Sequence, residues 1–114
     1  MEVFYHHLYE YEKGLRNLIL HNTKKENREL IEKRLTDSKI NFIIYNISGD
    51  KINVFFGDGY CVDVIKSINK VSLTEYTDEE DFILGIMLGY DRLKQCQRYM
   101  KRKFAKDIVE TLIG

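Results

Sequence analysis

Three groups of residues in this 114-residue chain carry side chains able to do chemistry. His6, His7 and His21 are its three histidines, and imidazoles serve as metal ligands and proton carriers. Residues 2–9 read as a strand, in which neighbours point to opposite faces, so one ion cannot take both His6 and His7. No Cys or carboxylate sits at a ligand spacing from either, and a hydrogen-bonded structural histidine is the expected role. His7 is kept as a ligand candidate because it would share a face with Tyr5 and Tyr9. The second group is Gly57-Asp58-Gly59 with Cys61. A glycine-flanked turn opening a helix offers backbone N–H groups to a phosphate or carboxylate, and a thiol one turn inside would ionise more easily. Against this, Asp58 puts negative charge where the anion would sit, and Gly-Asp-Gly is a common tight turn. The third group is the basic run Arg92, Lys94, Arg98, Lys101, Arg102, Lys103 and Lys106, with no acid among them. With Tyr90, Tyr99 and Phe104 interleaved it suits nucleic acid or an acidic protein. Cations near a helix C-terminus are also favoured by the helix dipole, so part of the run has a structural explanation.

No nucleophile–base–acid set can be assembled. The chain lacks Gly-x-Ser-x-Gly, a phosphate loop with Lys, and His-Glu-x-x-His. Its paired carboxylates, Asp78 to Asp81, occupy a helix cap. A non-enzymatic protein without cofactor or metal is therefore expected.

The elements that position these groups alternate between the two structural periods. After the strand at 2–9, Leu15, Leu18 and Ile19 recur at helical spacing, with Gly14 as a weak point. Thr23 with Glu26 has the spacing of a capping box and opens a helix over 24–37, with Leu30, Ile31 and Leu35 on its apolar side. Residues 40–47 and 51–56 are strands, joined through Ser48-Gly49-Asp50 as a hairpin. Residues 60–68 fit either period, and Val64, Ile65 and Ile68 favour a helix. Thr77 and Glu80 frame a capping box with acids in the first turn, and one long helix is expected over 78–102. Its first half, Phe82 to Gly89, is apolar on every side and must be enclosed by the domain or by a second copy. Gly85 and Gly89 mark a close approach there, either within the chain or across a two-fold seam with Phe82 and Ile86. In its second half Leu93, Cys96, Met100 and Phe104 form one stripe, expected to face the core, with Lys94, Arg98, Lys101 and Arg102 opposite. A short last helix over 106–113 returns Ile108, Val109 and Leu112 to the core.

These elements make one α+β domain over residues 1–114, a size with room for a single core. Hydrophobic residues are 44% and charged residues 32%, which excludes a disordered chain. With 18 basic and 18 acidic residues there is no global steering toward nucleic acid or membrane. The apolar run falls far short of the roughly 20 residues of a membrane span. The start, Met1-Glu2-Val3-Phe4-Tyr5, lacks the basic and apolar regions of a signal peptide. Cys61 and Cys96 are too few and too far apart for a disulfide framework. A cytoplasmic location is expected.

Three stretches together resemble a family of short bacterial proteins, domain of unknown function number two thousand and twenty-three. They are His6-His7-Leu8-Tyr9-Glu10 with Lys13-Gly14-Leu15-Arg16; Glu79 to Gly85; and Leu88-Gly89-Tyr90-Asp91 with Gln95-Cys96 and Arg98-Tyr99. The resemblance spans nearly the whole chain. It implies a three-stranded, five-helix α+β fold, a homodimer, and the company of a flavodoxin, but no activity. A flavodoxin is an acidic protein, which suits the basic run. The leading expectation is a non-catalytic homodimer that docks an acidic protein through Lys94, Arg98, Lys101 and Arg102, with Phe82, Gly85, Ile86 and Gly89 in the dimer interface. The alternative is a small-molecule or redox site made of Gly57, Asp58, Gly59, Cys61 and His7.

Overall fold

The structure is a computed structural model that describes the backbone of residues 1–113 and the side chains of residues 1–106. It is an α+β fold of five α-helices around a three-stranded antiparallel sheet. Helix α1 spans Glu2–Glu12, followed by strand β1, Leu18–Lys24, and helix α2, Arg28–Asp37. Strands β2, Asn41–Asn46, and β3, Lys51–Gly57, form the expected hairpin. Helices α3, Gly59–Ile68, α4, Asp78–Met87, and α5, Arg92–Ile113, complete the chain. No helix among the described residues is long and apolar enough to cross a membrane.

Strand β3 lies in the middle, with β1 and β2 antiparallel on either side; Val54 stands opposite both His21 and Ile44. Because side chains alternate across a sheet, Ile19, Ile52, Val54 and Phe56 face α1 and α2 and pack with Phe4, Leu8, Ile31 and Leu35. Leu18 and Phe55 face the other way, packing with Val62 and Ile65 of α3, Tyr76, and Leu84 and Leu88. Every residue of β3 from Ile52 to Gly57 is buried, as a central strand covered on both faces requires.

Several expectations are corrected. Residues 2–9 are helical, not extended: Phe4 and Leu8 are buried while His6, which a strand would place on the same face, is exposed, as a helix allows. The stretch containing Leu18 and Ile19 is strand β1, not helix, because these neighbours enter opposite clusters. Thr23 does not cap α2. It lies in β1 and its Oγ1 accepts from Asn27 Nδ2 at 2.9 Å, while a 3-10 turn, Lys25–Asn27, precedes the helix. Finally, residues 78–102 are not one helix. At Gly89 the backbone turns left-handed with φ of 82°, and the Gly89 and Tyr90 N–H groups donate back to the carbonyls of Ile86 and Gly85, closing α4. Asp91 then caps α5, its Oδ1 accepting from Lys94 N–H at 3.0 Å. The separate helix expected over 106–113 is continuous with α5, and the side chains of Ile108, Val109 and Leu112 lie outside the described residues.

Candidate functional site

The break at Gly89 sends α5 back along α4, so that Phe82 meets Tyr99 with ring centroids 5.4 Å apart. The capping box of α4 forms as its sequence requires: Glu80 N–H donates to Thr77 Oγ1 at 3.1 Å and Thr77 N–H to Glu80 Oε1 at 2.9 Å. The acids of that first turn do a second job. Arg98 pairs with Asp81 at 2.9 Å, Arg102 with Asp78 and Asp81 at 3.0 Å, Lys103 with Glu79 at 3.0 Å and Lys106 with Asp78 at 2.8 Å. The Lys106 ammonium holds the Asp78 carboxyl below its ordinary pKa, and the Arg98 guanidinium does the same for Asp81. Much of the basic run is thus turned inward as the clamp between two helices. Of the proposed docking residues, Arg98 and Arg102 belong to this clamp, while Lys94 and Lys101 are exposed without an ion-pair partner among the described residues.

A helix that turns its basic side inward turns its other side out. The stripe expected to face the core faces solvent instead: Leu93 is 68% exposed, Met100 61% and Phe104 65%, and Cys96 is exposed with them. Successive residues of a helix are 100° apart, which places Lys94 and Lys101 along one margin of this stripe and Arg92 along the other. The result is an apolar ridge with a cationic margin and no acid from Arg92 to Lys106.

Residues expected at a dimer seam are spread over different environments. Phe82 leans on Tyr99. Gly85 is buried, and a Cβ there would run into the Gln95 side chain, so the close approach at this glycine is made by α5 of the same chain. Ile86 is half-buried, and Gly89 stands at the exposed turn with open space around it. Arg16 secures the turn from the other side, Nη2 donating to the Leu88 carbonyl at 3.2 Å.

The alternative site is not assembled. His7 packs against His21, centroids 5.3 Å apart, on the side of the sheet where Phe4 lies, whereas Cys61 joins the cluster on the opposite face. His6 lies 3.4 Å from Glu10 instead. Gly57 has a role of backbone geometry: its φ is 146°, and a Cβ would strike the Asn17 carbonyl. Asp58 caps α3 with Oδ1 on Tyr60 N–H at 3.1 Å, placing the chain's own carboxylate where an anion would bind. The Cys61 thiol is pushed up, by burial first and Asp58 second, which corrects the expectation of an acidified thiol. Burial also pushes the pKa of His7 down, and that of His21 to about 4.

Residues that sequence reasoning passed over line a groove of about 670 Å³ on the α3/α4 side of the sheet, between its far end and the segment 71–74. Leu20, Asn22 and Asn53 form its floor, with Ile47, Val71 and Leu73 around them. The available signal was the polar residue in Lys-Ile-Asn-Val-Phe-Phe: Asn53 interrupts the inward series of a central strand, and Asn22 stands directly opposite it.

Comparison with curated proteins finds no match to this chain. A family profile described as protein of unknown function (DUF2023) matches residues 2–102. It covers the segments that build the α4–α5 hairpin and the sheet, and the chain belongs to the DUF2023 family.

Proposed function

We propose that this protein is a non-catalytic interaction module that docks an acidic amphipathic surface of a protein partner on the outer side of α5. One observation carries the reading: Leu93, Met100 and Phe104 stand more than half exposed in a row, with Lys94 and Lys101 at their margin, neither in an ion pair among the described residues. Single exposed apolar residues are ordinary, but a contiguous row marks an interaction surface. The partner's charge follows from the margin. Against a second copy of α5, antiparallel packing sets the Lys94 and Lys101 margin against itself, and parallel packing sets it against Arg92. Both bring like charges together across a desolvated contact, which disfavours that pairing. Carboxylates flanking an apolar strip answer the same surface, and a flavodoxin is an acidic protein that fits this description.

The test compares wild-type protein with Met100→Asp and with Lys94→Glu/Lys101→Glu, each immobilised and exposed to a native lysate at low and raised salt. The expected result is an acidic protein held by wild type, released by salt and lost in both variants, with circular dichroism unchanged. Equal retention by all three proteins overturns the reading. So does a wild-type dimer in sedimentation that Met100→Asp splits, which assigns the ridge to self-association.

A further inference from the structure

We infer that the groove over Asn22 and Asn53 is a binding site for a small uncharged molecule that presents an N–H and a C=O on the same edge, as a lactam, a nucleobase or a primary carboxamide does. Asn53 is only 6% exposed, in the middle of the central strand. A buried amide there is costly unless its hydrogen-bonding groups are used. Asn22 Nδ2 donates to Asn53 Oδ1 at 2.9 Å. That bond joins one amide's N–H to the other's C=O, leaving one amino group and one carbonyl free of protein partners among the described residues. The inventory is the same whichever of the two amides is the donor. The free pair lies at the groove floor, fixed in relative position because the two residues are directly opposed in the β1–β3 ladder.

Three features narrow the ligand. None of the lining residues is charged, so the groove has no counter-ion for a carboxylate, phosphate or ammonium. Among the other polar residues of the lining, Ser72 and Thr74 have hydroxyls 2.7 Å apart and bonded to each other, Asn46 Oδ1 accepts from Arg28 Nη1 at 3.2 Å, and Ser48 adds a hydroxyl; the Asn22–Asn53 pair is the one held rigidly on the sheet. Leu20, Ile47, Val71 and Leu73 supply apolar surface that suits a flat ring body. A volume of about 670 Å³ falls in the range of sites for small molecules, roughly 300–1,000 Å³.

The experiment is a titration of the 15N-labelled full chain, reading the side-chain NH2 resonances of Asn22 and Asn53, with uracil, benzamide, benzoate and 1,3-dimethyluracil as probes. Uracil and benzamide are expected to shift both resonances saturably at millimolar concentration. Benzoate lacks the N–H and carries a charge, and 1,3-dimethyluracil keeps the ring but loses the donors, so each is expected to bind roughly tenfold or more weakly. Asn22→Leu, at an exposed strand position, is expected to keep the backbone spectrum and lose the response at Asn53. The inference is overturned if neither uracil nor benzamide moves these resonances, or if 1,3-dimethyluracil binds as well as uracil. An undiminished response in Asn22→Leu overturns it too. Because wild-type protein alone answers the first two questions, a poorly folding variant does not blunt the test.

Discussion

Lowering the pH from 7 to 4 should destabilise the fold chiefly through one imidazole. His21 is 6% exposed, enclosed by the rings of Phe4 and His7 at 5.6 and 5.3 Å. Desolvation, then His7, brings its pKa from 6.5 to about 4. A histidine with a depressed native pKa is neutral in both folded and unfolded chains above pH 6.5, so it adds no pH dependence there. As pH falls below 6.5 the unfolded chain takes up a proton that the folded chain refuses, and stability falls until the native group also titrates near pH 4. At 1.36 kcal/mol per tenfold change in proton affinity, the loss is about 2 kcal/mol at pH 5 and about 3 kcal/mol at pH 4. That is a large part of the roughly 5–15 kcal/mol that holds a domain of this size. His7 is lowered in the same direction, by burial first and then Arg16, and adds to the effect. The acids Asp78, Glu80 and Asp81 are held below their ordinary pKa values; their stabilisation is lost only at lower pH, leaving the interval from 6.5 to 5 to histidine. Urea unfolding at pH 7, 6, 5 and 4 measures the slope. His21→Phe, which keeps a ring among rings, should flatten it by about 2 kcal/mol between pH 7 and 5. A wild-type stability that is level across that interval, or a Phe variant with the wild-type slope, would refute the reasoning.

Gly85→Leu should cost about 1–3 kcal/mol by driving a side chain into Gln95, and Gln95→Ala in the same chain should recover part of it, with a coupling of about 1 kcal/mol in a double-mutant cycle read by urea unfolding. Cys96, exposed on α5, should react with a disulfide reagent faster than the half-buried Cys61, whose thiol pKa is raised; labelling followed by mass spectrometry decides, and Cys61 reacting first would contradict the burial assigned to it.

What could be read from the chain was the part written in strong local code. The hairpin of β2 and β3 follows from alternating apolar residues around Ser48-Gly49-Asp50, and α4 begins where Thr77 and Glu80 say it must. Failures came where two codes compete. In Glu-Val-Phe-Tyr-His-His-Leu-Tyr the aromatic and β-branched content favours a strand, but a strand would bury His6 along with Phe4 and Leu8, and the helix buries the two apolar residues while leaving the imidazole in water. Leu18 and Ile19 fit a helical repeat with Leu15, yet they serve opposite faces of a sheet, and Leu15 is exposed in the connection. The Gly89-Tyr90-Asp91 turn was legible in principle, as a helix-ending glycine followed by a capping Asp; the glycine four residues earlier suggested a repeat within one helix instead. Periodicity located both faces of α5, but nothing local states which one turns inward, because that choice depends on acids at the far end of α4.

The choice of face carries the functional argument. Against α4, α5 could present either its apolar stripe or its cations, and the acidic first turn of α4 receives Arg98, Arg102, Lys103 and Lys106. The pairs of Arg98 with Asp81 and Lys103 with Glu79 lie near the surface, where an ion pair is worth at most about 1 kcal/mol; Asp78 is buried, and its bonds to Arg102 and Lys106 mainly offset the cost of burying its charge. Fully burying a Leu, Met or Phe side chain gains about 1.5–3 kcal/mol, and three such residues stand largely in water along the ridge. Charge pairing therefore fixes the orientation of α5 without recovering the hydrophobic free energy left on its outer side. A surface that covers Leu93, Met100 and Phe104 recovers it, and one that also brings carboxylates to Lys94 and Lys101 does so without opposing like charges. The same clamp that turns the ridge outward also holds it in place, so the partner proposed above would meet a helix already ordered and would not bear the entropy of ordering it.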